Sequence, residues 1–150
     1  MANDLIQKEA VLLNLEAADQ DQTLNRLADA LQGAGFLADK DAFVASVKDR
    51  EKHASTAIGF GVAIPHGKSS GVKKAGIGFA RLAQPVEWNS LDGKPVSIII
   101  LLAIPQEEAG KEHLRILASV SKRLIHESFR KQLLEAKTEE EIVGILESAL

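Results

Sequence analysis

Cysteine is absent from this 150-residue chain, which excludes disulfides, thiol nucleophiles and thiolate metal sites. No long hydrophobic run is present either: the longest, Ile98 to Ile104, falls far short of the ~20 residues that span a bilayer. Neither sign of charge dominates. With 18 basic and 21 acidic residues and a net charge of −3, no global field marks nucleic acid or an anionic membrane as partner, so any anion site must be local. Repeats, low-complexity segments and linker-like stretches are also missing. The start, MANDLIQKEA, lacks a basic region followed by an apolar one and does not read as a secretory signal. These absences lead us to expect one cytoplasmic domain over residues 1–150, a length at which folding buries roughly 68 to 70% of the unfolded chain's surface.

What is present reads as helices, then strands, then helices. Asp21 is placed to cap a helix whose Leu24, Leu27, Ala28 and Leu31 share a face, with Gly33 at its end. A second helix is predicted from Asp39 to Asp41 onward, turning Phe43 and Val47 inward; Arg50 continues that apolar stripe. AGIGFARL (Ala75 to Leu82) alternates like a strand, and VSIIILLAIP (Val96 to Pro105) reads as a central strand buried on both faces, with an Asp-Gly turn between them. Leu114, Leu117, Ala118, Ser121 and Leu124/Ile125 form one helical stripe; Phe129, Leu133 and Leu134 form another. Thr138 to Glu141 fits a capping box before Ile142. The fold class is α/β or α+β, a sheet covered by helices.

Thr56 to Ser70, TAIGFGVAIPHGKSS, sets a histidine directly after a proline in a glycine-rich loop. Pro65 fixes its own φ and pushes Ile64 into an extended conformation, so His66 leaves the end of a short extended segment in few directions. Such a mount suits a reactive group or a tight turn. Catalytic motifs come close without matching. GVAIPHGKS has five residues between its glycines where a phosphate-binding P-loop has four, and GKSSG is followed by no apolar helix of the kind a nucleophile elbow requires. No HExxH, CxxC or EF-hand pattern occurs, so no metal is expected. Among the other histidines, His113 shares a helical face with Ile116, Leu117 and Val120, in the first turn after Gly110. It reads as an imidazole packed at a helix start or as one aimed at an anion, and periodicity favours packing. His53 and His126 read as surface residues.

RxxxxSTAIGFGVAIPHGKS, followed by WNSLDGKPVSIIILLAIP and KEHLRILASVSKRL, resembles the fructose/mannitol-type IIA proteins of the bacterial sugar phosphotransferase system over nearly the whole chain. Ala57 stands where that family usually has glycine, and Phe60 is bulkier than is common there. The resemblance implies a mixed parallel and antiparallel five-stranded sheet with helices on both faces. It implies that His66 is phosphorylated by the histidine-containing phosphocarrier protein HPr and hands phosphate to a cysteine of a IIB component, linked indirectly to a membrane IIC component. It further implies that His113 and Arg50 flank the phosphoryl group, with Thr56, Gly59, Gly61, Pro65 and Gly67 supporting the phosphate loop and no cofactor required. Lys68, Lys73 and Lys74 are candidates to guide an acidic partner face. A regulatory IIA paralogue, acting by binding a kinase, transporter or transcription regulator, is the alternative; WNSLDGKPV favours the transport branch.

Overall fold

In the computed structural model, which describes residues 5–107 and 111–150, a strand precedes the first helix. β1 (Ile6–Leu15) is followed by α1 (Gln20–Gly33) and α2 (Lys40–His53), then by the short strands β2 (Ala57–Gly59), β3 (Val62–Ala63) and β4 (His66–Ser69). The long strands β5 (Gly76–Val86) and β6 (Val96–Pro105) come next, then α3 (Lys111–Leu124), α4 (Glu127–Glu135) and α5 (Glu139–Glu147). The expected order of helices, strands and helices therefore needs correcting at its start. β1 carries no clean period of two because its pairing with β5 shifts register between Ile6 and Val11 and again between Leu12 and Leu15, where Asn14 has a φ of 57°.

The sheet runs β1-β5-β6-β3-β2, with β4 also on β6. β1 lies parallel to β5, β5 antiparallel to β6, β6 parallel to β3 and β4, and β3 antiparallel to β2. Among the described residues six strands replace the expected five, and proline is the reason. Val62 faces Ile98, Ala63 faces Ile99 and His66 faces Leu102, a constant offset of 36 positions. β3 and β4 are thus one line of chain in one register, interrupted at Pro65, which has no N–H to give to the ladder.

β6 is buried at every position but Ser97, as a strand covered on both faces must be. Ile99, Leu101 and Ala103 pack with α1 and α2, while Ile98, Ile100, Leu102 and Ile104 pack with α3, α4 and α5. Side chains cap the helix starts: Asp19, rather than Asp21, accepts from the Gln22 N–H, Asp39 from Ala42 and Thr138 from Glu141. The stripe on α3 also needs correcting. Leu114, Ala118 and Ile125 are exposed, and the inward face runs through His113, Val120 and Leu124. On α4, Phe129 and Leu133 are buried but Leu134 is not. Gly110, expected just before α3, lies outside the described residues.

Candidate functional site

Pro65 and the packing of β4 decide where His66 points. Side chains alternate along a strand, and the next position, Gly67, is pressed against α2. A Cβ there would lie 2.3 Å from the Ser46 hydroxyl and 2.7 Å from Val47 Cγ2. The opposite face, toward α3, is left to His66, which is half-buried beside its cross-strand partner Leu102. Its Nδ1 lies 3.3 Å from the Ile64 carbonyl oxygen. A carbonyl only accepts, so the contact requires the proton on Nδ1 and leaves the lone pair on Nε2.

Burial lowers the pKa of His66 below its ordinary 6.5, and the Arg50 charge pushes the same way, against the Ile64 carbonyl and the Glu51 carboxylate, which raise it. The imidazole is accordingly held neutral, the form in which nitrogen is a nucleophile. Arg50 is half-buried at the end of α2, one turn beyond Val47, and donates to the Ala54 carbonyl at 2.9 Å. The Arg50 charge thus acts on His66 from the helix on the other face of the sheet.

His113 is 4% exposed, one turn before Ile116 and Leu117. Those two line a small apolar cavity together with Ile64 and Leu102, so α3 sits over the same face from which His66 projects. His113 is thus packed inside, the reading that periodicity favoured, on the helix that covers the face from which His66 projects.

Phe60 and Gly61 form the two-residue connection between β2 and β3, with φ of 62° and 77°, after Gly59 at 94°. A connection with positive φ at both central residues is the favoured hairpin solution; glycine meets it without strain, and Phe60 does not. The Asp92 carboxylate accepts the Phe60 N–H at 3.3 Å, and the Arg130 guanidinium lies 4.1 Å from the centre of the Phe60 ring, an arrangement that cation–π attraction favours. Phe60 is nonetheless 57% exposed. Lys68, Lys73 and Lys74 are exposed near β4. Lys74 covers the Phe36 ring at 5.1 Å. No group of three or more His, Asp or Glu able to hold a metal occurs among the described residues.

Residues 4–149 match the family described as the phosphoenolpyruvate-dependent sugar phosphotransferase system, EIIA 2. The chain belongs to this EIIA family. Its members are phosphoryl carriers, and the fructose/mannitol-type assignment read from the sequence holds. The chain is 36% identical over 143 residues to the fructose-specific EIIABC component of Bacillus subtilis (strain 168), covering 95% of itself but only 22% of that longer protein. It is also 37% identical over 144 residues to a nitrogen regulatory protein of Bradyrhizobium diazoefficiens, covering 95% of itself and 92% of the relative. The crystal structure of the nitrogen regulatory protein IIA-Ntr from Neisseria meningitidis superposes with a TM-score of 0.87 at 32% identity, over 96% of this chain and 97% of that one.

Around this EIIA site, sequence reasoning missed Glu51. Its carboxylate accepts the Thr56 hydroxyl, the Thr56 N–H at 3.3 Å and the Trp88 indole N–H at 3.3 Å. One signal was available: Glu51 is an acid in a last helical turn otherwise furnished with Arg50, Lys52 and His53, where the helix dipole favours cations. The bond also alters the part open to Thr56. Its hydroxyl proton is engaged by Glu51, so toward an anion this side chain turns lone pairs rather than a donor.

Proposed function

We propose that the chain carries a phosphoryl group on Nε2 of His66. The observation that carries this reading is the Nδ1 contact to the Ile64 carbonyl, which directs the lone pair to Nε2 while burial keeps the ring neutral. In the first step Nε2 attacks phosphorus as the N–P bond of the phosphocarrier HPr breaks. In the second, a cysteine thiolate of a IIB component attacks, an S–P bond forms, and the electron pair returns to Nε2. Both steps pass through a loose transition state with charge on the equatorial oxygens, so the protein contributes placement and electrostatics. Arg50 supplies a fixed fork of donors and His113 a buried imidazole at a helix start. Gly59 and Gly61 leave room for the partner's phosphohistidine or thiolate to approach. Phosphate arrives already joined to a protein, so the chemistry calls for neither nucleotide nor Mg²⁺.

The whole system's activity, coupled uptake and phosphorylation of a fructose-type sugar at the cytoplasmic face, follows for this chain if IIB is its acceptor; the Bacillus subtilis relative is named for an A, B and C component together. A second reading is supported by the near full-length matches to nitrogen regulatory proteins: phosphate on His66 would then set which partner protein the chain binds. Incubation with HPr, its kinase and phosphoenolpyruvate tests the shared step. Wild type should gain acid-labile phosphate and His66→Ala should gain none. Delivery of that phosphate to a IIB cysteine supports transport; retention in the presence of active IIB supports regulation.

A further inference from the structure

An unbroken run of hydrogen bonds links Trp88 to the proposed nucleophile. Trp88, 1% exposed and the chain's single tryptophan, donates to Glu51. Glu51 accepts both the hydroxyl and the N–H of Thr56. The Thr56 carbonyl accepts the Ile64 N–H at 3.0 Å, and the Ile64 carbonyl meets His66 Nδ1. A parallel tie reinforces the first half: the Ser55 hydroxyl donates to the Trp88 carbonyl at 2.7 Å and accepts the Ala57 N–H at 3.1 Å.

We infer that Glu51 is a positioning residue for His66, acting through Thr56 and Ile64 to present Nε2 to the reacting partners. The inference rests on the phosphoryl-carrier reading for its consequence, though not for its geometry. Among the described residues β4 pairs only with β6, and the outer side of Ile64 is held by Thr56. Fixing Thr56 therefore fixes the last hydrogen bond before Pro65. Glutamine at position 51 is nearly isosteric but brings a donor to a place where three donors converge, so at least one of the three bonds must be lost. The Ile64 carbonyl then shifts, and the preference of His66 for a proton on Nδ1 weakens.

The direct test is the tautomer of His66, read from ¹⁵N shifts of the labelled imidazole in the unphosphorylated chain, with its signals assigned against His66→Gln. Wild type should hold the proton mainly on Nδ1, and Glu51→Gln should move the population toward Nε2–H. Phosphoryl uptake from HPr should slow by about tenfold or more, given that misplacement by an ångström costs ~100-fold, and Trp88 emission should shift as its partner loses its charge. A Glu51→Gln chain with the wild-type tautomer ratio overturns the inference. Should that variant not fold, Thr56→Ser and Thr56→Val carry the test. Serine should keep the Nδ1–H tautomer and valine should lose part of it; identical spectra from the two overturn the inference as well. A wild-type chain with the expected tautomer that takes no phosphate would instead remove the carrier reading and leave the geometry standing.

Discussion

Gly67→Ala offers a test in which a stability loss and a functional loss have one cause. The added Cβ would sit 2.3 Å from the Ser46 hydroxyl, 2.7 Å from Val47 Cγ2 and 3.1 Å from the Val47 backbone nitrogen, where ordinary contact begins near 3.4 Å. Neither side chain can turn away at no cost. The Ser46 hydroxyl is bonded to the Phe43 carbonyl at 2.7 Å, and Val47 is a buried, β-branched core residue. The helix must therefore withdraw from β4 by roughly an ångström, an overpacking that costs about 1 to 3 kcal/mol. At this chain length each kcal/mol lowers Tm by about 2 to 4 °C, so a fall of roughly 2 to 12 °C is expected by thermal unfolding. The same withdrawal carries Arg50 and Glu51 away from the strand that bears His66. Phosphoryl uptake, measured well below the lowered Tm, should drop by about tenfold to a hundredfold. Gly76→Ala is the control. Its Cβ would lie 2.3 Å from the Phe36 ring, in the loop before α2 and at the opposite end of that helix from Arg50. It should lose comparable stability and keep near wild-type transfer. A Gly67→Ala chain as stable as wild type, or one no slower in transfer than Gly76→Ala, refutes the argument.

Arg50→Ala should slow both uptake from HPr and delivery to IIB, and Arg50→Lys should restore only part of either rate because the planar fork is lost; single-turnover kinetics of each step will tell, and equal rates for all three proteins would remove Arg50 from the site. His113→Asn should leave His66 able to take phosphate but slow its onward transfer, with thermal unfolding as control; near-normal transfer from a folded variant would make His113 a packing residue only. Because the His66 pKa is lowered in the fold, the unfolded chain binds that proton first on acidification. Stability at this position is thus full above about pH 6.5 and declines as pH falls toward the folded value. Denaturant unfolding across pH 5 to 8 should show a decline that His66→Gln flattens.

How far the sequence disclosed this arrangement depended on the kind of signal each element carries. β6 was legible to the residue because an unbroken apolar run bounded by Pro105 admits little else, and α2 because Asp39 caps it and Phe43 and Val47 set its face. β1 was illegible, since two register shifts break the alternation on which a strand is recognised. The α3 stripe was misplaced by one position: Leu114 is more hydrophobic than His113, yet His113 is inside and Leu114 68% exposed. Hydrophobicity ranks residues by average preference, and the face read separately through His113, Ile116, Leu117 and Val120 was the better guide. Arg50 and His66 could be singled out because a charge on an apolar stripe and a histidine after proline are both locally odd. Glu51 offered one local cue, an acid in a last helical turn of cations, but its three bonds reach Thr56 and the distant Trp88, and only the fold brings those donors together.

The placement of His66 on β4 resolves a conflict between reactivity and access. A histidine in the middle of a fully paired strand would be neutral but unreachable, and one on an open loop would be reachable but largely protonated below its ordinary pKa. β2 ends its pairing with β3 at Ala57 opposite Ala63 and Thr56 holds Ile64, so from His66 onward no strand among the described residues lies on the outer edge of the sheet, while β6 and α2 still cover the chain from other sides. An exposed edge invites pairing with another chain. Here the edge is only four residues long, begins directly after a proline and bears exposed Lys68, three features that disfavour strand addition. On the proposed reading, a partner that approaches His66 is therefore steered to meet a side chain rather than a backbone ladder, and can leave once the phosphoryl group has moved. That is the requirement on a carrier, whose contacts must form and break twice in each cycle.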